Sequence, residues 1–394
     1  MNWILKPLAS RIAVPLVVMA GLHAMKPATT TAGDTVDAKS LVARINAVGP
    51  EGKGHRDATK AWQTLATADA RQIPEILAGM DAKNVLANNW IRSAVETIAA
   101  RQLSAGGKLP QSELEKFLQE TRNAPRARRV AYELIAQVDP PAGARLIAGM
   151  LNDPSIELRR DAIASAIAKA EKLEEQGEGP KALAAYRTAF NSARDIDQIK
   201  LVAEKLKKLG EQVNLPSHFG FVMNWQLIAP FENVNRSGFD VAYPPESEIK
   251  LDATYTGKDN AKVAWIKHTT TDDFGAVDIN KTIAKHKGAI AYAYAELVAD
   301  KPMPVELRLG STCANKIWLN GELLTSNHVY HAGGGIDQYV GSGQLKAGTN
   351  RILLKIAQNE QTEDWAQDWQ FQLRVCDAIG TAVLSRDRVA TTTK

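Results

Sequence analysis

The residue usage of this chain changes abruptly near residue 215. From 41 to 215 the chain is rich in Ala, Leu, Arg, Lys, Glu and Gln, which are the strong helix formers. From 219 to 385, short runs of Val, Ile, Tyr, Trp and Thr alternate with clusters of Gly, Asn, Asp and Pro, a pattern typical of strands and turns. The break predicts a multidomain α plus β protein, and a length of 394 residues is sufficient for both domains.

Similar segments recur within the helical region. Ile76-Leu-Ala-Gly-Met80 matches Leu146-Ile-Ala-Gly-Met150. Three further short segments also resemble one another, and they end at Ala94, Ala131 and Ala162. The spacing from Ala94 to Ala131 is 37 residues, and from Ala131 to Ala162 it is 31. Two-helix repeats of about 30–40 residues are typical of α-solenoids. The sequence therefore predicts a solenoid over 41–215, with an irregular helical bundle as the alternative.

One unit of this region resembles a known repeat. Leu151-Asn-Asp-Pro-Ser-Ile-Glu-Leu-Arg-Arg-Asp-Ala162 resembles a HEAT repeat, in which Asp-Pro separates two helices, and residues 180–193 resemble one helix of a tetratricopeptide pair. The resemblance implies stacked helix pairs with a surface for protein partners. Ile156, Ile163 and Ile167 are predicted to lie on the apolar stripe of one helix. The arginines at 122, 126, 128 and 129 are predicted to form a solvated helix face.

The β region has the strand and turn pattern of an antiparallel sandwich. Asn320-Gly321 lies between two apolar pairs and is a strong signal for a two-residue hairpin. The predicted strands are 221–227, 263–268, 289–298, 305–311, 316–319, 338–340, 350–356 and 369–376. Trp225, Trp265, Trp318 and Trp369 are predicted to fill the core, because large aromatic residues in sandwiches are mostly buried.

The order of these segments resembles galactose-binding-domain-like jelly rolls, above all the sugar-binding modules attached to bacterial glycoside hydrolases. The resemblance covers about 165 residues and rests on several segments: Val305–Ser311, Lys316–Glu322, Leu345–Ile356, Trp369–Val375, Trp225–Phe231 and Gly238–Glu246. It implies a jelly roll over 219–385 that binds a glycan or packs against a partner. Because one fold serves many functions, it does not identify the ligand.

The N-terminus has the features of a secretory signal. Lys6 and Arg11 precede an apolar run of 11 residues, Ile12 to Leu22, and the small residue Ala24 follows. We therefore expect a signal peptide at 1–24, a flexible lead-in at 25–40, a tail at 386–394, and a periplasmic or secreted protein. The run is too short for a membrane span, so no transmembrane anchor is expected. With 48 basic and 44 acidic residues, the charge is too balanced for a nucleic-acid binder.

Two loops of the β region carry the candidate ligand-binding residues. The loop 326–337 contains His331 and Asp337, and the loop 360–369 contains Asp364 and Trp365. An exposed indole can stack on the apolar face of a sugar ring, while carboxylates and imidazoles bind its hydroxyls. We predict that Trp365 stacks on a glycan and that His331, Asp337 and Asp364 form hydrogen bonds to it.

The sequence offers no catalytic or cofactor motif. His328 and His331 are three residues apart, but a zinc site needs further ligands, and a solvated loop is the favoured interpretation. The jelly roll that the chain resembles often carries a structural calcium ion. Asp240, Glu246, Asp337 and Asp364 would supply oxygen ligands, although none lies in a dedicated calcium loop. Cys313 and Cys376 are predicted to be unbridged.

Three functions are compatible with these features. The first is an exported, non-enzymatic interaction protein, with the solenoid for protein contacts and the sandwich for glycan or partner binding. The second is a carbohydrate-binding accessory subunit of a periplasmic or secreted polysaccharide-processing system. The third is an enzyme whose site has no recognisable motif. We prefer the first, because the chain lacks a catalytic signature and has two domains of types that commonly bind other molecules.

Overall fold

The computed structural model describes residues 36–391. The predicted signal peptide and most of the predicted lead-in therefore lie outside the described residues. The lead-in was predicted to extend to residue 40, but the first helix already begins at Ala38, where the Asp37 side chain accepts a hydrogen bond from the Ser40 amide at 3.1 Å. No helix between residues 36 and 391 is long and apolar enough to cross a membrane.

The N-terminal part of the described chain is helical, as predicted. Its helices are α1 (Ala38–Asn46), α2 (His55–Leu65), α3 (Ile73–Ala78), α4 (Val85–Ser104), α5 (Gln111–Gln119), α6 (Pro125–Val138), α7 (Pro140–Ala148), α8 (Ile156–Glu175), α9 (Gly179–Ser192) and α10 (Ile196–Lys208). Proline begins α6 and α7, where the missing amide hydrogen costs no helical bond. Ile163 and Ile167 of α8 are buried as predicted, but Ile156 is exposed because it is the first residue of that helix.

The helices are stacked in order along the chain. From α5 to α10 each helix contacts the next, and the alternate helices α4, α6, α8 and α10 also contact one another. Ion pairs connect these alternate helices: Arg92 to Glu133, Arg129 to Asp161, and Arg160 to Asp197. Each helix of this part is therefore supported mainly by its neighbours along the chain.

The C-terminal part consists of antiparallel sheets, as predicted. Its strands are β1 (Asn224–Glu232), β2 (Thr254–Thr256), β3 (Lys262–Ala264), β4 (Ile266–Thr269), β5 (Val277–Asp278), β6 (Ala289–Ala299), β7 (Met303–Gly310), β8 (Ala314–Leu319), β9 (Glu322–Asn327), β10 (Tyr339–Leu345), β11 (Gly348–Gln358) and β12 (Gln370–Cys376). A six-stranded sheet has the order β4-β1-β6-β11-β8-β9, and a four-stranded sheet has the order β10-β7-β12-β5.

One apolar core joins the two sheets into a sandwich. Alternate residues of β6, β7, β11 and β12 point into it, together with the fully buried Trp369 and the almost fully buried Trp225. The predicted hairpin is present between β8 and β9. Asn320 and Gly321 both have positive φ, at 54° and 86°, which is the geometry that the Asn-Gly pair favours.

The outer face of the six-stranded sheet is covered by the chain between β1 and β4, a feature that the sequence analysis did not predict. This segment includes the short helix α12 (Pro244–Ser247) and the β2–β3 hairpin. Beneath it, the fully buried Lys355 donates hydrogen bonds to the Val241 carbonyl at 2.8 Å and to Glu246 Oε1 at 2.9 Å. The buried ammonium group is therefore neutralised by the covering segment.

The helical part and the sandwich are joined through a packed junction. The short helix α11 (Leu215–Phe219) buries Leu215 and Phe219 in the same apolar cluster as α9 and α10. Two other short helices are α13 (Ile279–Thr282) and α14 (Arg386–Thr391). The predicted tail thus begins as a helix, and the Ser385 hydroxyl that precedes it accepts a hydrogen bond from the Val298 amide at 2.8 Å.

Arginines from both parts converge on one turn at this junction. Arg159 of α8 donates to the Ile379 carbonyl at 3.0 Å, and Arg194, after α9, donates to the Thr381 hydroxyl at 3.3 Å. From the sheet, Arg308 and Arg374 donate to carbonyls of the same turn at 3.5 and 3.4 Å. The turn at 377–381 is therefore held by side chains of both domains.

Candidate functional site

Trp365 is the most exposed large apolar residue of the described chain, with 63% of its surface accessible. It lies in a short helical turn, Asp364–Ala366, between β11 and β12. The next residue, Ala366, is fully buried, and its carbonyl accepts hydrogen bonds from Lys287 Nζ at 2.7 Å and Gln358 Nε2 at 3.2 Å. The indole is thus presented to solvent next to a backbone carbonyl that two side chains hold in place.

His331 contacts Trp365, so the structure brings two of the four predicted site residues together. Their ring centroids are 5.1 Å apart with perpendicular planes. Nε2 of His331 lies 2.9 Å from Oδ1 of Asn359, which is buried, and the His331 amide donates to the Thr312 carbonyl at 2.6 Å. The imidazole orientation is therefore determined by a buried amide rather than by solvent.

The row of rings continues beyond His331. Tyr330 lies 6.4 Å from His331, and His328 lies 5.5 Å from Tyr330, measured between ring centroids. His328 is exposed and stacks on the buried Phe239 at 4.1 Å with an interplanar angle of 8°. We call His328, Tyr330, His331 and Trp365 the aromatic strip.

A buried asparagine supports the middle of the aromatic strip. Asn233 is fully buried, and its Nδ2 donates to the Tyr330 hydroxyl at 3.1 Å and to the Gln358 carbonyl at 2.9 Å. Asn233, Asn359 and Tyr330 were not among the predicted site residues. The only sequence signal for Asn233 and Asn359 was the position of a polar residue at the end of β1 and of β11, and this signal is weak.

Asp364 and Asp337 lie in different surroundings. Asp364 is exposed beside Trp365, within reach of a ligand that contacts the indole. Asp337 is bound by arginines instead: Arg374 Nε donates to it at 2.6 Å and Arg308 Nη1 at 3.0 Å. Burial alone would raise the pKa of Asp337, but the hydrogen bonds from Arg374 and Arg308 outweigh it and lower the pKa. Its carboxylate is already fully engaged.

The acidic residues considered for calcium are dispersed. Asp240 pairs with Lys316 at 3.2 Å, and Glu246 pairs with Lys355. Between residues 36 and 391 there is no group of three or more His, Cys, Asp and Glu side chains that could hold a metal ion. His328 and His331 have separate contacts, with Phe239 and Asn359 respectively.

A second concave feature lies at the edge of the sandwich. A groove of about 610 Å³ is lined by residues of β1, β4 and β6 and by the segment around α14. Its walls combine apolar side chains such as Leu251 and Leu297 with polar ones such as Gln226 and Lys267. The Tyr294 hydroxyl in this groove donates to Glu296 Oε1 at 2.5 Å. This groove was not predicted from the sequence.

Both cysteines are free and buried. Cys313 contacts the Asp368 carbonyl at 3.4 Å, while Cys376 approaches the Glu306 carbonyl at 3.9 Å. Burial raises the pKa of each thiol to about 11. At neutral pH the reactive thiolate is therefore scarce at both positions.

Comparisons with known proteins do not assign this chain to a family. No protein-family model and no curated protein matches it. Among solved structures, an anti-sigma factor domain-containing protein from Clostridium clariflavum is 9% identical, with a TM-score of 0.25, and covers 42% of this chain and 45% of its own. A beta-glucosidase from Kluyveromyces marxianus in complex with glucose is 14% identical, with a TM-score of 0.25, over 40% of this chain and 17% of its own. The selenomethionine form of that beta-glucosidase is 15% identical, with a TM-score of 0.24. The chain thus spans less than half the length of each of these proteins, and the similarity carries no functional argument.

Proposed function

We propose that this chain is an exported, non-enzymatic interaction protein whose β-sandwich binds a glycan at the aromatic strip. The observation that carries the proposal is Trp365, a large ring that is 63% exposed yet held in place by its neighbours. The flat apolar face of an exposed indole is accessible to a ligand and suits the apolar face of a sugar ring. Asp364 and the exposed His328 lie beside the rings as hydrogen-bonding groups for hydroxyls.

The domain resemblances support the same proposal. We assign the sandwich to the galactose-binding-domain-like jelly rolls and the helical part to HEAT-like helix pairs. Contacts between alternate helices, with ion pairs from α4 to α10, favour an elongated surface for a protein partner. The alternative is a carbohydrate-binding accessory subunit of a polysaccharide-processing system, and a glycan array that detects binding to a single polysaccharide class would favour it.

Binding should be modest in strength. The strip is open to solvent, so a glycan gains stacking and a few hydrogen bonds but loses conformational freedom when it binds. We expect dissociation constants in the micromolar to millimolar range. Such affinities suit repeated attachment to a polymer better than capture of one soluble sugar.

The test is a fluorescence titration of the full-length protein with a panel of soluble oligosaccharides. At least one member should change the tryptophan emission of the wild type, and Trp365→Ala should lose both the change and the binding measured by calorimetry. Leu323→Ala is the matched control, because Leu323 is 48% exposed on β9 outside the strip. If no sugar binds, or if Trp365→Ala binds as well as the wild type, the sandwich is not a glycan-binding domain of this kind.

Export has its own test. N-terminal sequencing of the protein from its native host should give a mature chain that begins near Met25. Recovery of intact Met1 from the cytosol would contradict the proposed location without affecting the glycan site.

A further inference from the structure

An arginine lies on the aromatic strip without an acidic partner. The guanidinium of Arg236 is 5.3 Å from the ring centroid of Tyr330, and the side chain is exposed. Most other arginines of the described chain form ion pairs, as Arg308 and Arg374 do with Asp337. Among residues 36–391, no carboxylate forms an ion pair with Arg236. Its charge is therefore available to a ligand that reaches Tyr330.

The backbone holds Arg236 in this position. Asn235 and Arg236 have φ of 56° and 59°, a conformation that is uncommon for a side chain as long as arginine. The Asn235 amide donates to the Glu360 carboxylate, and the Arg236 amide donates to the Asn233 carbonyl at 2.9 Å. The buried Asn233 also binds Tyr330, so ring and guanidinium are positioned by the same residue.

Charge is distributed unevenly along the strip. Glu363 and Asp364 flank Trp365 at one end and are exposed. Arg236 lies over Tyr330 in the middle. At the other end Lys316 lies 4.5 Å from the ring centroid of Phe239 and pairs with Asp240 at 3.2 Å. Arg236 is thus the cation of the strip that forms no ion pair within residues 36–391.

We propose that the glycan bound here is acidic, with the carboxylate of a uronic acid unit paired to Arg236 while a neighbouring sugar ring stacks on Trp365. The inference rests on the proposed function and adds the chemical class of the ligand. A planar guanidinium can bind both oxygens of a carboxylate, which a neutral sugar lacks. Because Arg236 already stacks on Tyr330, little side-chain freedom is lost when the pair forms.

The test compares acids with their own methyl esters. Oligomers of galacturonic, glucuronic and mannuronic acid are each titrated beside the fully methyl-esterified form, which keeps the sugar ring and removes the charge. At least one acid should bind about tenfold more tightly than its ester at low salt, a difference of about 1.4 kcal/mol. The preference should shrink as salt is raised, because the pair is exposed to solvent.

Two variants test whether Arg236 causes the preference for acids over their esters. Arg236→Gln should lose the preference for the acid over its ester, while Arg351→Gln, at an exposed arginine of β11, should keep the full preference. Loss of the preference in both variants would indicate general electrostatic attraction and overturn the inference. If acids and esters bind the wild type equally and Trp365→Ala abolishes both, the acidic class is wrong and the glycan site stands. If neither acids, esters nor neutral sugars bind, both proposals fall.

Discussion

Acidification should destabilise the junction of the two domains through His218 in α11. Its ring packs 4.1 Å from the ring centroid of Phe190, and its Nε2 donates a hydrogen bond to the Ala193 carbonyl at 3.0 Å. Burial lowers the pKa of His218 from 6.5 to about 4, because the charged imidazolium is poorly solvated there. The hydrogen bond to Ala193 raises the pKa and offsets only part of this effect.

The sign of the pH dependence follows from the lowered pKa. Between pH 6.5 and pH 4 the unfolded chain binds a proton at this histidine and the folded chain does not. The free energy of unfolding is therefore unaffected above pH 6.5 and falls as the pH drops towards 4. A difference of roughly 2.5 pKa units corresponds to at most about 3.5 kcal/mol, and we expect about 2 kcal/mol because the ring is only partly buried.

Urea unfolding of the wild type and His218→Gln at pH 8, 6, 5 and 4 measures this effect. Glutamine places an amide donor near the position of Nε2 but does not titrate. The difference between the proteins at pH 8 gives the cost of the substitution itself. Towards pH 4 the variant should gain about 2 kcal/mol relative to the wild type. Two stability curves that stay parallel over this range would refute the reasoning.

Three further results are expected. Asp153→Asn should lower the free energy of unfolding by about 3–5 kcal/mol, because Arg128, with only 2% of its side chain accessible, then loses its charged partner at 2.6 Å; a urea midpoint equal to that of the wild type would contradict this. Cys313 and Cys376 should be alkylated only after denaturation, as mass spectrometry can show, and rapid labelling of the native protein would disprove their burial. Arg159→Met should make the domain junction near residue 215 susceptible to limited proteolysis, whereas we expect the wild type to be resistant there. If the variant and the wild type are cleaved at the same rate, the turn at 377–381 does not hold the domains together.

Local signals in the sequence predicted the architecture well. The change in residue usage near 215 separates helices from strands because helix and strand propensities act within a few residues. The Asn320-Gly321 turn was predictable for the same reason, since its backbone angles are a property of the two residues themselves. The opposite exposures of Trp365 and Trp369 also follow from local context, a polar loop and the start of a strand.

Buried charges could not be predicted in this way. The arginines at 122–129 were expected to form a solvated face, yet Arg128 is buried because Asp153 and the Leu118 carbonyl bind it. Arg159 is buried for a similar reason, and its partner Ile379 is 220 residues away. The sequence around a long polar side chain looks the same whether that side chain binds water or a distant backbone carbonyl. Only tertiary structure decides between them.

The candidate site combines both kinds of information. The exposure of Trp365 was predictable from its position in a polar loop, and its contact with His331 joins the two loops that the sequence singled out. Arg236 was not, since its position depends on Asn233, which binds Tyr330 across 97 residues and the Gln358 carbonyl across 125. Each ring of the strip can thus be recognised in the sequence by itself, whereas Arg236, the residue proposed to select an acidic glycan, is positioned by a buried amide that joins three loops. If the Asn233 amide positions Arg236, substitutions of buried residues beneath the strip should change the preference for acidic glycans more than the overall affinity for glycans.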